Sequence, residues 1–334
     1  MLVDIVMLAV SLFAILFASI VFTNGVELLG HRFGFHQGVV GSILAAVGTA
    51  LPETIIPVIA ILFVKNAAAH EVGIGAIAGA PFMLATLAFC ITGLAVLIYS
   101  ALGRRTRTIH TDVSGVTRDL SFFIILYTVA ILASFIHGPH WIRWVIAAGL
   151  VLGYGWYIRQ TLSSDGHEIE EVDILHFSKY LRLPENRTVI IAQILASLIL
   201  MTAGAHYFVH YVSAISIQFG LSAMILSIII TPIATELPEK CNSVIWVGKG
   251  KDILAVGNIT GAMVFQSSFP VAFGVALTAW DLTGVPLVSA LLTIASALML
   301  YIWVRIKKSL NPFILLAGGS FYLIFMVYLI MRGG

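Results

Sequence analysis

The stretches Gly48-Thr-Ala-Leu-Pro-Glu53 and Ala234-Thr-Glu-Leu-Pro-Glu239 decide the fold, because each sets a proline and a glutamate inside a long apolar run. The pattern Thr-x-Leu-Pro-Glu recurs at a separation of 186 positions, and the match extends over 34–59 and 220–245. Apolar residues often match by chance in such a chain, but a shared Pro-Glu pair inside two apolar runs does not. The sequence therefore predicts an internal repeat.

The composition indicates a membrane protein. Hydrophobic residues make up 60% of the chain and charged residues only 10%, whereas soluble domains carry about 25% charged residues. Such a chain could not cover a water-facing surface, so we expect the lipid bilayer to surround it. The formal net charge of +2 gives no sign of a nucleic-acid partner. Cys90 and Cys241 lie in apolar runs and form neither a disulfide framework nor a metal-binding pattern.

Ten apolar runs are long enough to cross a hydrocarbon core of about 30 Å. Helices are expected throughout, because backbone groups inside lipid must be hydrogen-bonded within their own segment. The predicted fold class is therefore an all-α integral membrane protein with ten transmembrane helices, near 2–29, 38–64, 72–99, 120–136, 141–160, 188–210, 221–247, 253–280, 285–304 and 311–331.

The ten spans divide into two halves around one sizeable loop. We predict a first five-helix repeat at 1–160, a cytoplasmic linker loop at 161–187 and a second five-helix repeat at 188–334. Because each half holds an odd number of spans, the second repeat threads the membrane in the opposite direction. Inverted repeats are typical of transporters whose substrate sites lie near the membrane midplane.

The basic residues predict the orientation. Of the eighteen Lys and Arg residues, fourteen fall on the side of the odd-numbered loops, three on the opposite side, and Lys240 inside a predicted span. The side richer in Lys and Arg is expected to be cytoplasmic, so both termini are predicted to face outward. The expected location is the plasma membrane of the cell. The sequence leaves the oligomeric state open, and a monomer is compatible with it.

Glu53 and Glu239 are carboxylates that lie deep in apolar runs at equivalent positions of the repeat. An ionised side chain at the bilayer centre costs about 2.5–3.5 kcal/mol, so packing alone does not explain a matched pair. The alternative is a pair of protonated or hydrogen-bonded structural acids. Each glutamate follows a proline, Pro52 or Pro238, which cannot donate a hydrogen bond to the carbonyl four residues earlier.

Further oxygen atoms are expected beside these prolines. The predicted helix breaks free the carbonyls of Gly48 and Ala234, and Thr49 and Thr235 add hydroxyl groups. Carboxylate, hydroxyl and carbonyl oxygens together form a ligand set for hard cations such as Ca²⁺ or Na⁺. Two more prolines, Pro57 and Pro232, are expected to break the same helices and to free further backbone carbonyls.

Glu236 and Lys240 stand four residues apart with the acid first, which is the favourable order for a helical ion pair. We expect them to neutralise each other, and the alternative is that Glu236 acts as a free ligand. A neutral pair leaves the pocket with a charge of −2 from Glu53 and Glu239. That charge matches one divalent ion, two monovalent ions or two protons.

The third and eighth predicted helices carry Gly75-x-x-x-Gly79 and Gly257-x-x-x-Gly261. Small residues at this spacing let helix backbones approach closely. We therefore predict that these two helices pack tightly against the proline-broken ones, a structural role that we prefer to direct cation binding.

These motifs resemble those of the sodium/calcium exchanger family in the cation/calcium antiporter superfamily. Each inverted repeat of that family carries Gly-Thr-Ser-x-Pro-Glu followed by Gly-Asn-x-x-Gly-Ser-Asn/Asp, and Gly257-Asn-Ile-Thr-Gly261 supports the match. The resemblance implies five plus five helices, a central cation site, and alternating access by sliding of the first and sixth helices. It also implies that Glu53 and Glu239, together with Thr49 and Thr235, are cation ligands.

The chain departs from the family motifs at several positions. The motif serines are replaced by Ala50 and Glu236, and the Asn/Asp ligand positions of the third and eighth helices fall on Pro81 and Met263. Asn258 is retained from its motif. Because polar ligands are missing and one carboxylate has been added, the resemblance leaves the stoichiometry and the driving ion open.

The resulting prediction is a secondary antiporter that exchanges a cation against Na⁺ or H⁺. Ca²⁺ is the favoured cation, and no tightly bound cofactor is expected. The alternatives are a cation/proton exchanger that does not use calcium and a passive cation channel, which is less favoured because channels use rings of ligands from symmetric subunits. An intramembrane enzyme is not expected, because no aspartate lies deep in a predicted span and the sequence has no hydrolase motif.

Overall fold

The structure, a computed structural model, describes residues 2–32, 50–64, 67–136, 138–162 and 174–332, apart from the side chains at 30, 31, 234, 237–239 and 242. Eight helical segments in these residues are long and apolar enough to cross a membrane, and two shorter apolar helices supply the second and seventh predicted spans. The prediction of an all-α membrane protein with about ten spanning helices is confirmed.

The helices are numbered here in chain order. The first half contains α1 (Leu2–Arg32), α2 (Leu51–Leu62), α3 (Ala67–Ala101), α4 (Val113–Ala133) and α5 (His140–Leu162). A short helix, α6 (His176–Leu181), precedes the second half. The second half contains α7 (Arg187–Phe219), α8 (Ala223–Thr235), α9 (Leu237–Gly248), α10 (Asp252–Gln266), α11 (Phe269–Leu277), α12 (Val285–Lys307) and α13 (Pro312–Met331). The seventh predicted span is therefore α8 with α9, and the eighth is α10 with α11.

The internal repeat is visible in the backbone at the proline motifs. Ala50 precedes α2 with φ −85° and ψ 4°, and Glu236 precedes α9 with φ −87° and ψ 4°. Both helices then begin with Leu-Pro-Glu and are 12 residues long. Proline is well placed in a first helical turn, where its missing N–H would have no partner in any case. Pro52 and Pro238 thus stand at the helix starts that the sequence predicted.

The structure corrects the expectation for the other two prolines. Pro57 lies inside α2, which continues to Leu62, and Pro232 lies inside α8, which continues to Thr235. An internal proline removes one hydrogen bond, and tertiary packing of the surrounding apolar helix can offset that loss. Neither Pro57 nor Pro232 therefore ends a helix.

The third and eighth spans are also irregular at matching depths, which the sequence did not predict. In α3 one turn, Leu84–Ala88, has π-helical hydrogen bonding. The eighth span is interrupted at Ser267 and Ser268, between α10 and α11. The shift of 182 positions that aligns Gly75 with Gly257 places Ser267 and Ser268 on that π-helical turn. Such irregular turns are frequent at functional sites.

Gly75 and Gly79 pack directly against the backbone of α8, as predicted. A Cβ atom on Gly75 would lie 2.6 Å from the Met224 carbonyl oxygen, and one on Gly79 would collide with the Ile228 carbonyl oxygen and lie 2.8 Å from Pro232 Cγ. The counterpart in the eighth span differs: a Cβ on Gly257 would meet no described atom. The segment equivalent to α8 in the first half lies outside the described residues, so tight packing of α10 stays a prediction.

Replacing Gly79 with Leu should destabilise the protein by at least about 1–3 kcal/mol, because the new side chain would force α3 and α8 apart. Thermal unfolding in detergent measures the effect. Gly149→Leu is the matched control, since a Cβ on that exposed membrane glycine meets nothing within 4 Å. Equal melting temperatures for the two variants would contradict the close contact.

Contacts between the connections fall into two separate groups. Arg32 pairs with Glu185, Arg105 with Asp252, and Ile109 with Leu310, so these contacts join odd-numbered loops to one another. On the opposite face, contacts within the described part of the chain join the termini and the even-numbered loops, as in Asp4–Gln218, Glu71–Ser222 and Arg143–Thr278. This separation is what ten successive membrane crossings require.

A buried ion pair holds the connection between α9 and α10. The two terminal nitrogens of Arg105 lie 2.6 and 2.8 Å from the two carboxylate oxygens of Asp252, and one of them also donates to the Val247 carbonyl at 2.8 Å. The backbone N–H of His110 donates to the same carboxylate. Both charged side chains are more than nine-tenths buried. The loop after α3 is thereby fixed to the ends of α9 and α10.

Replacing Asp252 with Asn should lower the free energy of unfolding by about 3–5 kcal/mol, because Arg105 would remain buried without its counter-charge. Glu185→Gln is the control, since Arg32 and Glu185 are 32% and 37% exposed and such a surface pair contributes about 0–1 kcal/mol. Thermal unfolding of both variants in detergent gives the comparison. A loss at Asp252 no larger than that at Glu185 would show that the pair does not anchor the loop.

Candidate functional site

Glu53 is a buried carboxylate at the start of a half-length helix. It is the third residue of α2, its side chain is 4% exposed, and α2 packs against α3 and α7. The neighbouring turns of α2 contribute Ile56 and Ala60 to an apolar cluster with Phe208. The unpaired backbone N–H groups at a helix start favour a negative charge. The start of α2 therefore gives the carboxylate a favourable electrostatic environment in an otherwise apolar region.

The second half presents the same arrangement in the seventh span. Glu239 is the third residue of α9, and Thr235, the last residue of α8, is fully buried with its hydroxyl donating to the Thr231 carbonyl at 3.1 Å. The side chains of Glu239 and Ala234 are outside those that the structure describes, as are the residues Gly48 and Thr49. A meeting of the Glu53 and Glu239 carboxylates in one cavity therefore stays a prediction.

Glu236 and Lys240 form the ion pair that their spacing predicted. Lys240 Nζ lies 2.9 Å from Glu236 Oε2 and 3.5 Å from the Pro232 carbonyl oxygen. The side chains are 0% and 7% exposed. The pair thus sits beside Thr235 at the junction of α8 and α9, in the interior of the protein.

The positions where the chain departs from the family motifs are buried. Ala50, Pro81 and Met263 are all buried and offer no side-chain oxygen. Asn258 is half-buried, and its Nδ2 has no hydrogen-bond partner within the described part of the chain. Ala50, Pro81 and Met263 therefore place apolar side chains at positions where the motif has polar ones.

Gln266 is a polar residue that the sequence analysis missed. It ends α10, is 2% exposed, and its Oε1 has no hydrogen-bond partner among the described residues. It follows Met263 by three residues and therefore lies on nearly the same face of the helix. A signal was present in the sequence, because a glutamine inside an apolar run is unusual.

Asp119 is a buried acid of α4 that the predicted span at 120–136 left out. It occupies the second turn of α4, is 5% exposed, and accepts a hydrogen bond of 2.7 Å from the Thr260 hydroxyl of α10. Arg118 lies 3.1 Å away. The predicted span missed this acid because α4 begins at Val113, where the Asp112 side chain caps the helix by accepting from the Ser114 N–H. Asp119 is a paired acid that ties α4 to α10.

A conventional metal centre is not seen in the described residues: no group of three or more His, Cys, Asp or Glu side chains is placed to hold an ion there.

Comparison with known proteins gives one family match that covers most of the chain. The family model described as sodium/calcium exchanger protein matches residues 3–161 and 189–332. The inner membrane protein YrbG of Escherichia coli is 25% identical over 262 residues, which cover 78% of this chain and 75% of YrbG.

Solved structures match the fold over nearly the whole chain. The H⁺/Ca²⁺ exchanger CAX has a TM-score of 0.73 at 16% identity, over 98% of this chain and 82% of CAX. The sodium-calcium exchanger NCX_Mj has a TM-score of 0.59 at 18% identity, over 98% of each chain. At these identities the likeness concerns the fold alone.

Proposed function

Because this chain belongs to the sodium/calcium exchanger protein family, we propose that it is a secondary active antiporter that exchanges Ca²⁺ for Na⁺ or H⁺. Glu53 and Glu239 are the central ligands in this proposal, one from each half of the chain. Thr49, Thr235 and the carbonyls of Gly48 and Ala234 add neutral oxygens. The transported ions are substrates, and the proposal includes no resident cofactor.

The burial of Glu53 carries this proposal. A carboxylate that is 4% exposed inside a membrane-spanning region costs about 2.5–3.5 kcal/mol when ionised. A bound cation offsets that cost, and the helix start at α2 lowers it further. Glu239 occupies the same third position of a helix with the same preceding backbone geometry. Two carboxylates at matched positions therefore support a shared cation site.

Competition for the same carboxylates provides the coupling. Without a bound cation the two glutamates would repel each other in a region that excludes water. Either a divalent ion or its counter-ions can neutralise the two carboxylates. The protein with an empty site should therefore not change conformation and open to the other side of the membrane. Exchange rather than leak follows from that requirement, because each crossing needs an occupied site.

The orientation completes the proposal. The odd-numbered loops, which hold fourteen of the eighteen basic residues, face the cytoplasm. The chain is a multi-pass membrane protein, and we place it in the plasma membrane with both termini outside. The relative YrbG is described as an inner membrane protein, which supports this location.

A flux panel in proteoliposomes tests the function. Vesicles loaded with Ca²⁺, Mg²⁺, Na⁺ or buffer are diluted into media with an opposing gradient of Na⁺ or H⁺. We expect Ca²⁺ movement that requires a counter-gradient, and a sodium-free medium with an imposed pH gradient separates proton from sodium coupling. Proton-driven exchange of other cations without Ca²⁺ would favour the cation/proton exchanger. Cation currents without coupled counter-flux would identify a channel and overturn the proposal.

A further inference from the structure

The buried ammonium group of Lys240 lies near two oxygen atoms in the seventh span, one from a carboxylate and one from a backbone carbonyl. Its Nζ atom lies 2.9 Å from a Glu236 carboxylate oxygen and 3.5 Å from the Pro232 carbonyl oxygen. The junction between α8 and α9 is thirteen residues from the start of α8, or about 20 Å along the span. A carboxylate and a backbone carbonyl are also the ligands that a monovalent metal cation would use.

Stability does not account for this ion pair. Removing two charges from water generally costs as much as their attraction returns, so a buried pair is weak support for a fold. Glu236 also keeps one oxygen, Oε1, with no hydrogen-bond partner among the described residues, although the side chain is fully buried. A pair present only for stability would be expected to satisfy both oxygens.

The first half of the chain shows that a helix start of this geometry does not need the pair. The residues equivalent to Glu236 and Lys240 are Ala50 and Thr54. The Thr54 hydroxyl donates to the Ala50 carbonyl at 3.1 Å, and the backbone angles at Ala50 and Glu236 agree within a few degrees. The same helix start therefore forms without charges, and of these equivalent positions only those of the second half carry a charged pair.

We propose that the Lys240 ammonium is a tethered substitute for one transported monovalent cation, held in a subsite formed by Glu236 and the Pro232 carbonyl. This inference rests on the proposed antiporter function. With Lys240 in place, three carboxylates and one ammonium leave a charge of −2, which two monovalent ions or one divalent ion balance. The Lys240 ammonium therefore fixes the stoichiometry of exchange at two monovalent ions per divalent ion, so that a transport cycle moves no net charge across the membrane.

The measurement is the ratio of counter-ions to Ca²⁺ in proteoliposomes at clamped membrane potentials. Wild-type exchange should show a ratio of two and no dependence on the potential. Lys240→Met vacates the subsite, so a third monovalent ion should be taken up, and the exchange should become dependent on the potential. A variant that still exchanges two ions without voltage dependence would overturn the inference.

Two control variants separate the subsite from a general effect of charge. Lys249→Met removes an exposed lysine at the end of the same helix and should leave the ratio at two. Glu236→Gln combined with Lys240→Met removes both charges and should also keep the ratio at two, whatever its rate. A ratio of three in either control would contradict the assignment of the subsite to this pair.

The wild-type measurement keeps the inference testable if Lys240→Met does not fold. Wild-type exchange that moves net charge would contradict the charge balance without any variant. The inference can also fail without the antiporter function failing: a Lys240 variant with an unchanged ratio removes only the tethered cation. Full exchange after Glu53→Gln, in contrast, would remove the antiporter site itself.

Discussion

Glu53→Gln should reduce coupled exchange at least about 100-fold, which corresponds to the loss of about 3 kcal/mol of cation binding. Glutamine keeps the shape of the side chain but removes the charge that balances the cation. The fold should persist, because a neutral amide is cheaper to bury at this 4% exposed position than a carboxylate. Initial rates of counter-ion-driven Ca²⁺ uptake in proteoliposomes measure the effect.

Glu185→Gln is the control for the Glu53 variant, since it makes the same chemical change on an exposed side chain in the linker. It should transport at the wild-type rate. Size-exclusion profiles and melting temperatures show whether each variant is folded. Wild-type exchange by a folded Glu53→Gln protein would mean that α2 does not supply a cation ligand.

Glu239→Gln should reduce coupled exchange to the same extent as Glu53→Gln, because Glu239 is the residue equivalent to Glu53 in the second repeat, at the start of α9. The effects of the two variants should not add. A single cation that needs both carboxylates is already lost when either one is neutralised. Uptake by Glu53→Gln, Glu239→Gln and the double variant, measured side by side, tests this.

The pattern of the losses distinguishes a shared site from two separate sites. For a shared site, the double variant should be no worse than either single variant. A half-maximal rate in each single variant, with complete loss only in the double variant, would show that each half of the chain binds its own ion.

The main features of the fold followed from local patterns. Long apolar runs specify helices in lipid because no other structure satisfies their backbone groups, and the repeated Leu-Pro-Glu located the starts of α2 and α9. The spacing of Glu236 and Lys240 predicted their ion pair for the same reason, since residues four apart are neighbours on a helix. These predictions needed no knowledge of tertiary contacts.

The features that the sequence did not predict depend on contacts between residues far apart in the chain, or on hydrogen bonds that cannot be recognised from runs of apolar residues. Arg105 and Asp252 are separated by 147 positions, so their pairing has no local signature. Asp119 was left outside its span because a capped, polar first turn looks like a loop. The same limitation led to Pro57 being assigned a helix break, because packing within the bundle offsets one missing hydrogen bond.

The repeat also shows where the two halves have diverged. Their backbones agree at Ala50 and Glu236, yet the second half carries the buried Glu236–Lys240 pair where the first half has Ala50 and Thr54. The eighth span also ends its first segment with a buried amide, Gln266, where the aligned residue of the third span is Leu84. Chemical differences on a common backbone are the expected route to a changed ion preference, because ligand type and charge select the cation.

The most direct test of the shared site is a crystal structure of the protein with Ca²⁺, in which anomalous density locates the ion. The account predicts one central ion within about 2.3–2.6 Å of carboxylate oxygens from both Glu53 and Glu239. An ion bound elsewhere, or two carboxylates too far apart to reach the same ion, would contradict it.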